Sequence, residues 1–300
     1  MKILITGAEG QLGKVLNLTK PRNNDYLFCN KKIMDITNSS NCRDVIKQFK
    51  PDWIINCAAY TAVDNAEDNP ENAFLVNSYG PKLICEEIVK YGIRLLHISS
   101  DFVFNGKDNL PYQTDHEVDP LSIYGKSKAE GEKYILNFPN NIILRTGWLY
   151  GDKGNNFLNT ILRLNDVFLH KDESLKVIFD QVGAPTSTYS LARLCWKILA
   201  IENINVEFKS SLISHWSDSG VASWYDFAQA IIEISFAKGL LHKRVKVQPI
   251  FSSEFNAKAI RPNYSVLDSS ETKKMYNIKP DYWREELESV IDRLTKINKV

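Results

Sequence analysis

Short apolar runs alternate with longer amphipathic stretches through the first half of the chain. Residues 2–6, 26–29, 53–57, 94–99 and 142–146 are each rich in Ile, Leu, Val or aromatic side chains and are followed by small or polar residues. They predict strands. Residues 11–19, 40–49, 70–91 and 122–137 lie between them and predict helices. The third helix has a marked start: Asp68 and Asn69 offer a cap, Pro70 suits a first-turn position, and Glu71 faces the positive end of the dipole. Alternation of this kind belongs to a parallel, doubly wound sheet, which binds ligands beyond the carboxyl ends of its strands. Polar residues collect at those ends, at 6–7, 56–60, 99–101 and 146–148.

Beyond residue 150 the pattern loosens. Helices are predicted at 155–164, 187–199, 223–236 and 282–297, a strand at 175–179, and strand or loop at 246–262. No internal repeat, low-complexity tract or flexible linker interrupts the chain. The expectation is an α/β protein with a Rossmann-type doubly wound sheet over residues 1–147. A smaller C-terminal α/β domain over 148–300 is expected to carry most of the substrate contacts, with the chain free to cross back to the first domain.

The first strand–helix turn narrows the reading. Gly7-Ala8-Glu9-Gly10-Gln11-Leu12-Gly13 follows a strand and opens a helix. Gly7 permits the sharp turn, Gly10 a close approach of the backbone to a diphosphate, and Gly13 tight packing of helix on strand. The free N–H groups and the dipole then face an anion. The spacing is G-x-x-G-x-x-G, one residue longer in its first gap than the standard dinucleotide fingerprint. After the second strand comes Cys29-Asn30-Lys31-Lys32, with no acid for a ribose 2′-hydroxyl and two cations for a 2′-phosphate. This favours NADP over NAD. Asp35 follows closely as an alternative contact for the adenosine end.

Composition bounds the partners. In 300 residues there are 37 Lys+Arg and 36 Asp+Glu, a net charge of +1, so nothing draws the chain to nucleic acid or to a membrane surface. The five cysteines form no C-x-x-C pair, which argues against a zinc site or a disulfide framework, and Cys29 and Cys57 read as small core residues. The N-terminal residues lack the pattern of a signal peptide, and no apolar stretch reaches the ~18 residues that cross a bilayer. The expected location is the cytoplasm.

Candidate chemistry lies in Tyr124-Gly125-Lys126-Ser127-Lys128. Residues i and i+4 share one face of a helix, so a lysine cation there is expected to lower the tyrosine pKa from about 10 and ready it as a general acid for a carbonyl under reduction. Ser100 lies 24 residues earlier, just past a strand end, where its hydroxyl reaches the same oxygen or instead caps a turn.

Gly7, Gly10 and Gly13, Ser100 and Tyr124-x-x-x-Lys128 together resemble the extended short-chain dehydrogenases/reductases. Residues 56–67, Arg145-Thr146-Gly147-Trp148-Leu149-Tyr150, Gly154-Asn155-Asn156-Phe157, residues 180–186 and Arg261-Pro262 resemble the dTDP-4-dehydrorhamnose reductase family nearly end to end. The resemblance implies that NADPH, with NADH as the alternative, delivers hydride to C4 of a dTDP-linked 4-keto-6-deoxy sugar. Tyr124 would protonate the developing alkoxide, Lys128 would tune Tyr124 and hold the nicotinamide ribose, and Ser100 would orient the carbonyl. Gly7, Gly10, Gln11, Leu12, Gly13, Asn30, Lys31, Asp35, Ile36, Ala58, Ala59, Tyr60, Tyr124 and Lys128 would hold the cofactor. Val63, Ser100, Asp101, Phe102, Trp148, Asn156 and Arg261 would meet the substrate, Arg261 at its diphosphate.

The chain departs from the family in two places. The family commonly shows Ser-Thr-Asp-Tyr-Val-Phe where this chain has Ser99-Ser100-Asp101-Phe102-Val103-Phe104, so one hydroxyl is lost at Phe102. Val15 stands where some members carry a metal-binding acid, so no metal is carried over and a homodimer is left open. Phe102 after Asp101 also removes the acid pair a sugar-nucleotide dehydratase needs. An epimerase would require a tightly retained NAD. The competing reading from another class is a non-catalytic NADP-binding subunit like the β subunit of methionine adenosyltransferase.

Overall fold

A computed structural model describes residues 1–202 and 211–297. Six parallel strands form one sheet: β1 (Lys2–Thr6), β2 (Asp25–Cys29), β3 (Trp53–Asn56), β4 (Arg94–Ser100), β5 (Ile142–Thr146) and, from the second half of the chain, Leu212–His215. Their spatial order is β2-β1-β3-β4-β5 followed by Leu212–His215, so the order reverses between β1 and β3. In open α/β sheets that reversal opens a crevice at the carboxyl ends.

Alternate strand residues serve the two faces. Ile3, Ile5, Ile55, Leu96, Ile142 and Leu144 pack with Leu12, Val15 and Leu16 of α1 (Gln11–Thr19) and with Leu191, Leu194 and Ile198 of a later helix, Thr188–Glu202. Leu4, Ile54, Leu95 and Ile143 pack on the other side against α2 (Ser39–Phe49), α5 (Gly80–Ile88) and α6 (Ile123–Leu136). Because both faces are covered, consecutive positions inside the central strands are apolar, as in Ile3-Leu4-Ile5, Trp53-Ile54-Ile55 and Ile142-Ile143-Leu144.

The helix expected over 70–91 is broken into pieces. After α3 (Val63–Asp68), α4 (Pro70–Phe74) gives way to a π-helical turn at Leu75–Tyr79 before α5, and Val89–Tyr91 is a 3₁₀ turn. Pro81 has no N–H to return to the carbonyl four residues back, which loosens the ladder at this point. The Asn77 side chain there is used elsewhere: it accepts from Tyr60 N at 2.8 Å and donates to Tyr60 O at 3.0 Å, bracing the loop after β3.

In the second half, β6 (Leu149–Tyr150), α7 (Phe157–Lys171), β7 (Leu175–Ile178), β8 (Val182–Gly183), β9 (Thr186–Ser187), α8 (Thr188–Glu202) and β10 (Leu212–His215) follow in turn. After them come β11 (Ala222–Ser223), α9 (Trp224–Ala237), β12 (Val247–Ile250), α10 (Ser270–Tyr276) and α11 (Trp283–Ile297). Within 246–262 only β12 is a strand, paired parallel to β7. Helix α7 runs seven residues past its predicted end, from 164 to 171, and stops where Asp172 turns left-handed at φ 54°. Sequence patterning missed β10: four residues with two polar members give no periodicity of their own, and their place is set by pairing to β5. Among the described residues, no helix is long and apolar enough to cross a membrane.

Candidate active site

A cavity of about 600 Å³ opens at the carboxyl ends of β1, β3, β4 and β5, between the first turns of α1 and α6. That size suits a small-molecule site. Its wall includes Gly7, Gly10, Gln11, Leu12 and Gly13 from the glycine loop, Ala59 and Val63, then Ser100, Asp101 and Phe102, then Tyr124, Lys128 and Trp148.

The glycine loop tolerates no side chain at its ends. Gly7 sits at φ +64°, and a Cβ on Gly13 would lie 2.4 Å from the Gly7 carbonyl oxygen. Gly10 precedes α1 and offers no capping side chain, so the first N–H groups of the helix have no side-chain acceptor. That is the fit a dinucleotide diphosphate requires. One residue of the loop was not anticipated. Glu9 accepts from Asn30 Nδ2 at 2.8 Å, which brings a carboxylate to the end of β2 that residues 29–32 alone do not show. Lys31 is exposed and pairs loosely with Asp35 at 3.9 Å. Asp35 accepts from Thr37 N and Oγ1, and Ile36 is buried. Asn30, Lys31, Asp35, Ile36, Ala58 and Tyr60 do not line this cavity.

Ser122 caps α6 by accepting from Gly125 N at 3.1 Å, which sets Tyr124 in the first turn and Lys128 one turn on. Both are buried. The Tyr124 ring meets Phe102 edge-on, with centroids 5.5 Å apart. Burial pushes the Tyr124 phenol up to about 12, against the hydrogen bond from Ser100 that lowers it. The expected lowering by Lys128 is absent, because the lysine is turned to the sheet: its Nζ donates to Ile98 O at 2.7 Å and lies 3.2 Å from His97 Nε2. Burial brings Lys128 down to about 8, with Glu132 and then Cys57 opposing. The phenol therefore keeps its proton at neutral pH, the state from which a general acid works.

Of the two roles considered for Ser100, the structure shows the turn cap. Its Oγ accepts from Phe102 N at 3.2 Å and donates to Asp101 Oδ1 at 3.1 Å. Burial pushes the Asp101 carboxyl up to about 6, against hydrogen bonds from Ser265 and Ser100.

Trp148 has φ 50°, a left-handed conformation that is rare for a bulky residue. It is held by a stack on Trp224 with centroids 3.4 Å apart and by donation from Nε1 to Ser265 Oγ at 3.2 Å. A second, apolar cavity of about 330 Å³ lies on the Trp224 side, lined by Phe157, Leu164, Val177, Gln181 and Arg261 among others. The stacked tryptophans stand between the two cavities.

Two expected substrate contacts are engaged elsewhere. Asn156 caps α7 by accepting from Asn159 N at 3.0 Å, and its Nδ2 donates to Gln11 Oε1 and Gly151 O, both at 2.9 Å. Its neighbours Gly154 and Asn155 line the cavity in its place. Arg261 lines the second cavity and grips Asp64 with both terminal nitrogens, at 3.1 and 2.6 Å. Cys57, read as a core residue, lines the first cavity, as do Ile98, Thr146 and Gly147. Their signal was position: Cys57, Thr146 and Gly147 stand at or just past a strand end, and Ile98 two residues before one.

Residues 1–296 match the family described as the RmlD substrate binding domain. The dTDP-4-dehydrorhamnose reductase of Aggregatibacter actinomycetemcomitans is 36% identical over 296 residues, spanning 96% of this chain and 98% of that one. A crystal structure of a dTDP-4-dehydrorhamnose reductase from Clostridium acetobutylicum has a TM-score of 0.88 and 38% identity, covering 98% of this chain and 99% of that one. Another, from Bacillus anthracis and in complex with NADP, has a TM-score of 0.86 and 34% identity, covering 97% of this chain and 99% of that one. With a match that runs nearly end to end over one shared fold, the chain belongs to the RmlD substrate-binding-domain family.

Proposed function

We propose that this chain reduces the C4 ketone of dTDP-4-dehydro-L-rhamnose to the hydroxyl of dTDP-L-rhamnose, consuming one NADPH and one proton. The observation that carries the reading is the meeting of the glycine loop with Ser100, Tyr124 and Lys128 in one cavity. The names of the relatives and the NADP complex of the Bacillus anthracis protein support it.

The bound nicotinamide supplies the hydride, and the chain's residues do the rest. Gly7, Gly10 and Gly13 and the N-terminus of α1 hold the diphosphate, flanked by Gln11 and Leu12. Asn30, Lys31, Asp35 and Ile36 face the adenosine end, and Ala58, Ala59 and Tyr60 border the nicotinamide half. Ser100 exchanges Asp101 Oδ1 for the ketone oxygen, donates to it and orients it. Tyr124 gives its proton to that oxygen as negative charge develops there. Lys128 holds the nicotinamide ribose. Val63, Phe102 and Trp148 keep water from the sugar. Arg261 exchanges Asp64 for the substrate diphosphate, and the nucleoside enters the apolar second cavity. Residues 1–147 thus serve the cofactor and most of 148–300 the substrate.

The test is direct. The full chain is mixed with NADPH and dTDP-4-dehydro-L-rhamnose, and the cofactor absorbance is followed. Turnover with dTDP-L-rhamnose as product is expected, and NMR of the product reports the configuration at C4. Bound NADPH without turnover would sink the reading. Gly13→Ala is expected to weaken NADPH binding at least ~10-fold, because its Cβ forces the loop away from α1. Unchanged affinity by fluorescence titration would remove the diphosphate from this loop.

A further inference from the structure

Beneath the cavity, buried polar side chains run from three strands to α6. Thr6, Asn56 and His97 are each 0% exposed and Lys128 is 1% exposed. Thr6 Oγ1 donates to Asn56 Oδ1 at 2.5 Å, and the same oxygen accepts from Ala58 N at 3.3 Å. With Oδ1 occupied, Asn56 turns its Nδ2 to His97 Nδ1, 3.0 Å away. An amide nitrogen only donates, so Nδ1 accepts and a neutral imidazole carries its hydrogen on Nε2. Burial, with the Lys128 charge beside it, holds the His97 pKa well below the usual range, so the ring is neutral. Its Nε2–H therefore faces Lys128 Nζ at 3.2 Å.

We propose that Thr6, Asn56 and His97 form a positioning relay that turns an N–H, not a lone pair, toward the Lys128 amine and so makes that lysine give up its proton more readily. An ammonium has three donors and no acceptor, so it gains nothing from a facing N–H, whereas a neutral amine accepts from it. The remaining ionisable neighbours do not supply this effect. Glu132, one turn along α6, and the Cys57 thiol after β3 both favour the charged lysine, and Glu132 is itself held by Arg145 from β5. Tyr124, one turn earlier on α6, keeps its proton, and Asp101 acts on Tyr124. The relay gives the site a reason to bury Thr6, Asn56 and His97, which do not themselves line the cavity.

The relay's effect on turnover rests on the reductase reading, but the relay itself is measurable without turnover. Nitrogen-15 NMR of the full chain, free of cofactor, reads the His97 tautomer, and Nε2–H is expected. A wild-type ring carrying Nδ1–H would overturn the proposal. The Lys128 ionisation is followed by its 13Cε signal, assigned by its loss in Lys128→Met. His97→Gln offers an amide oxygen to Nζ without adding charge, so the Lys128 midpoint is expected to rise by about one pH unit. Asn56→Asp presents a carboxylate to Nδ1, reverses the tautomer and is expected to shift the midpoint the same way. An unmoved or lowered midpoint in His97→Gln defeats the relay. Should that variant not fold, an unmoved midpoint in Asn56→Asp does so. In turnover, the basic limb of kcat is expected to follow the midpoint while KM for NADPH stays near wild type, a split that loosened packing does not produce. If the tautomer and the lysine midpoint behave as expected but no variant reduces the ketone, the relay stands and the reductase reading fails.

Discussion

Tyr124→Phe is expected to lower kcat by about 10²–10⁴-fold with little change in NADPH affinity. The variant keeps the ring and with it the edge-on contact with Phe102 at 5.5 Å, so the first turn of α6 and its Ser122 cap stay in place. What is removed is one proton donor. Burial pushes that phenol up to about 12, so the wild-type enzyme presents a fully protonated acid across the neutral range. Ser100 does not replace it, because its single proton serves to orient the ketone oxygen and an aliphatic hydroxyl is a far weaker acid than a phenol. The loss should fall in kcat, because the interaction strengthens only as charge develops on the ketone oxygen. Steady-state kinetics with a cofactor titration and a thermal melt on the same sample check this. Turnover within a few-fold of wild type would remove Tyr124 from the acid's role.

The parts of the site written in local spacing were the parts legible from the chain. The glycine loop is seven contiguous residues after a strand, and Tyr124 and Lys128 are four apart on one helix. Helical geometry alone puts the latter pair on one face. Contacts that close over long separations were not legible. Glu9 meets Asn30 across 21 residues, and Arg261 meets Asp64 across 197. Nothing in either local sequence marks the partner. Asn156 was read only as a substrate contact, although an asparagine before a helix serves equally as a cap, the role it takes here. The broken helix around Pro81 was missed because its apolar pattern continues through the π turn. The direction in which Lys128 acts was missed for a different reason. Spacing fixes which residues share a face, but the ammonium's choice between Tyr124 and the carbonyl of Ile98 depends on what the strand behind it presents.

Arg145→Met is expected to destabilise the protein by about 3–5 kcal/mol, because it leaves the Glu132 carboxylate buried without its cation. The pair is nearly inaccessible, at 3% and 2% side-chain exposure. Arg145 Nε lies 3.0 Å from Glu132 Oε1, and Nη2 lies 2.7 Å from Oε2, a two-pronged geometry. Ser99 Oγ adds a donor to Oε1 at 2.5 Å. On the far side, His215 donates from Nδ1 to Tyr112 O at 3.0 Å, which leaves Nε2 to accept from Arg145 Nη1 at 3.3 Å. Burial, with the Arg145 charge next to it, brings His215 down to about 3, so this acceptor survives at any pH where the protein is used. The network ties β4, β5, β10 and α6 together one turn beyond Lys128. Its loss should therefore appear as a lower urea midpoint. The double variant Arg145→Met with Glu132→Leu is expected to recover much of the loss, since no buried charge is then left unpaired. A single variant that costs less than about 1 kcal/mol, or a double variant no better than the single one, would show that the strands are held by packing alone and that Glu132 is not stranded when its partner is removed.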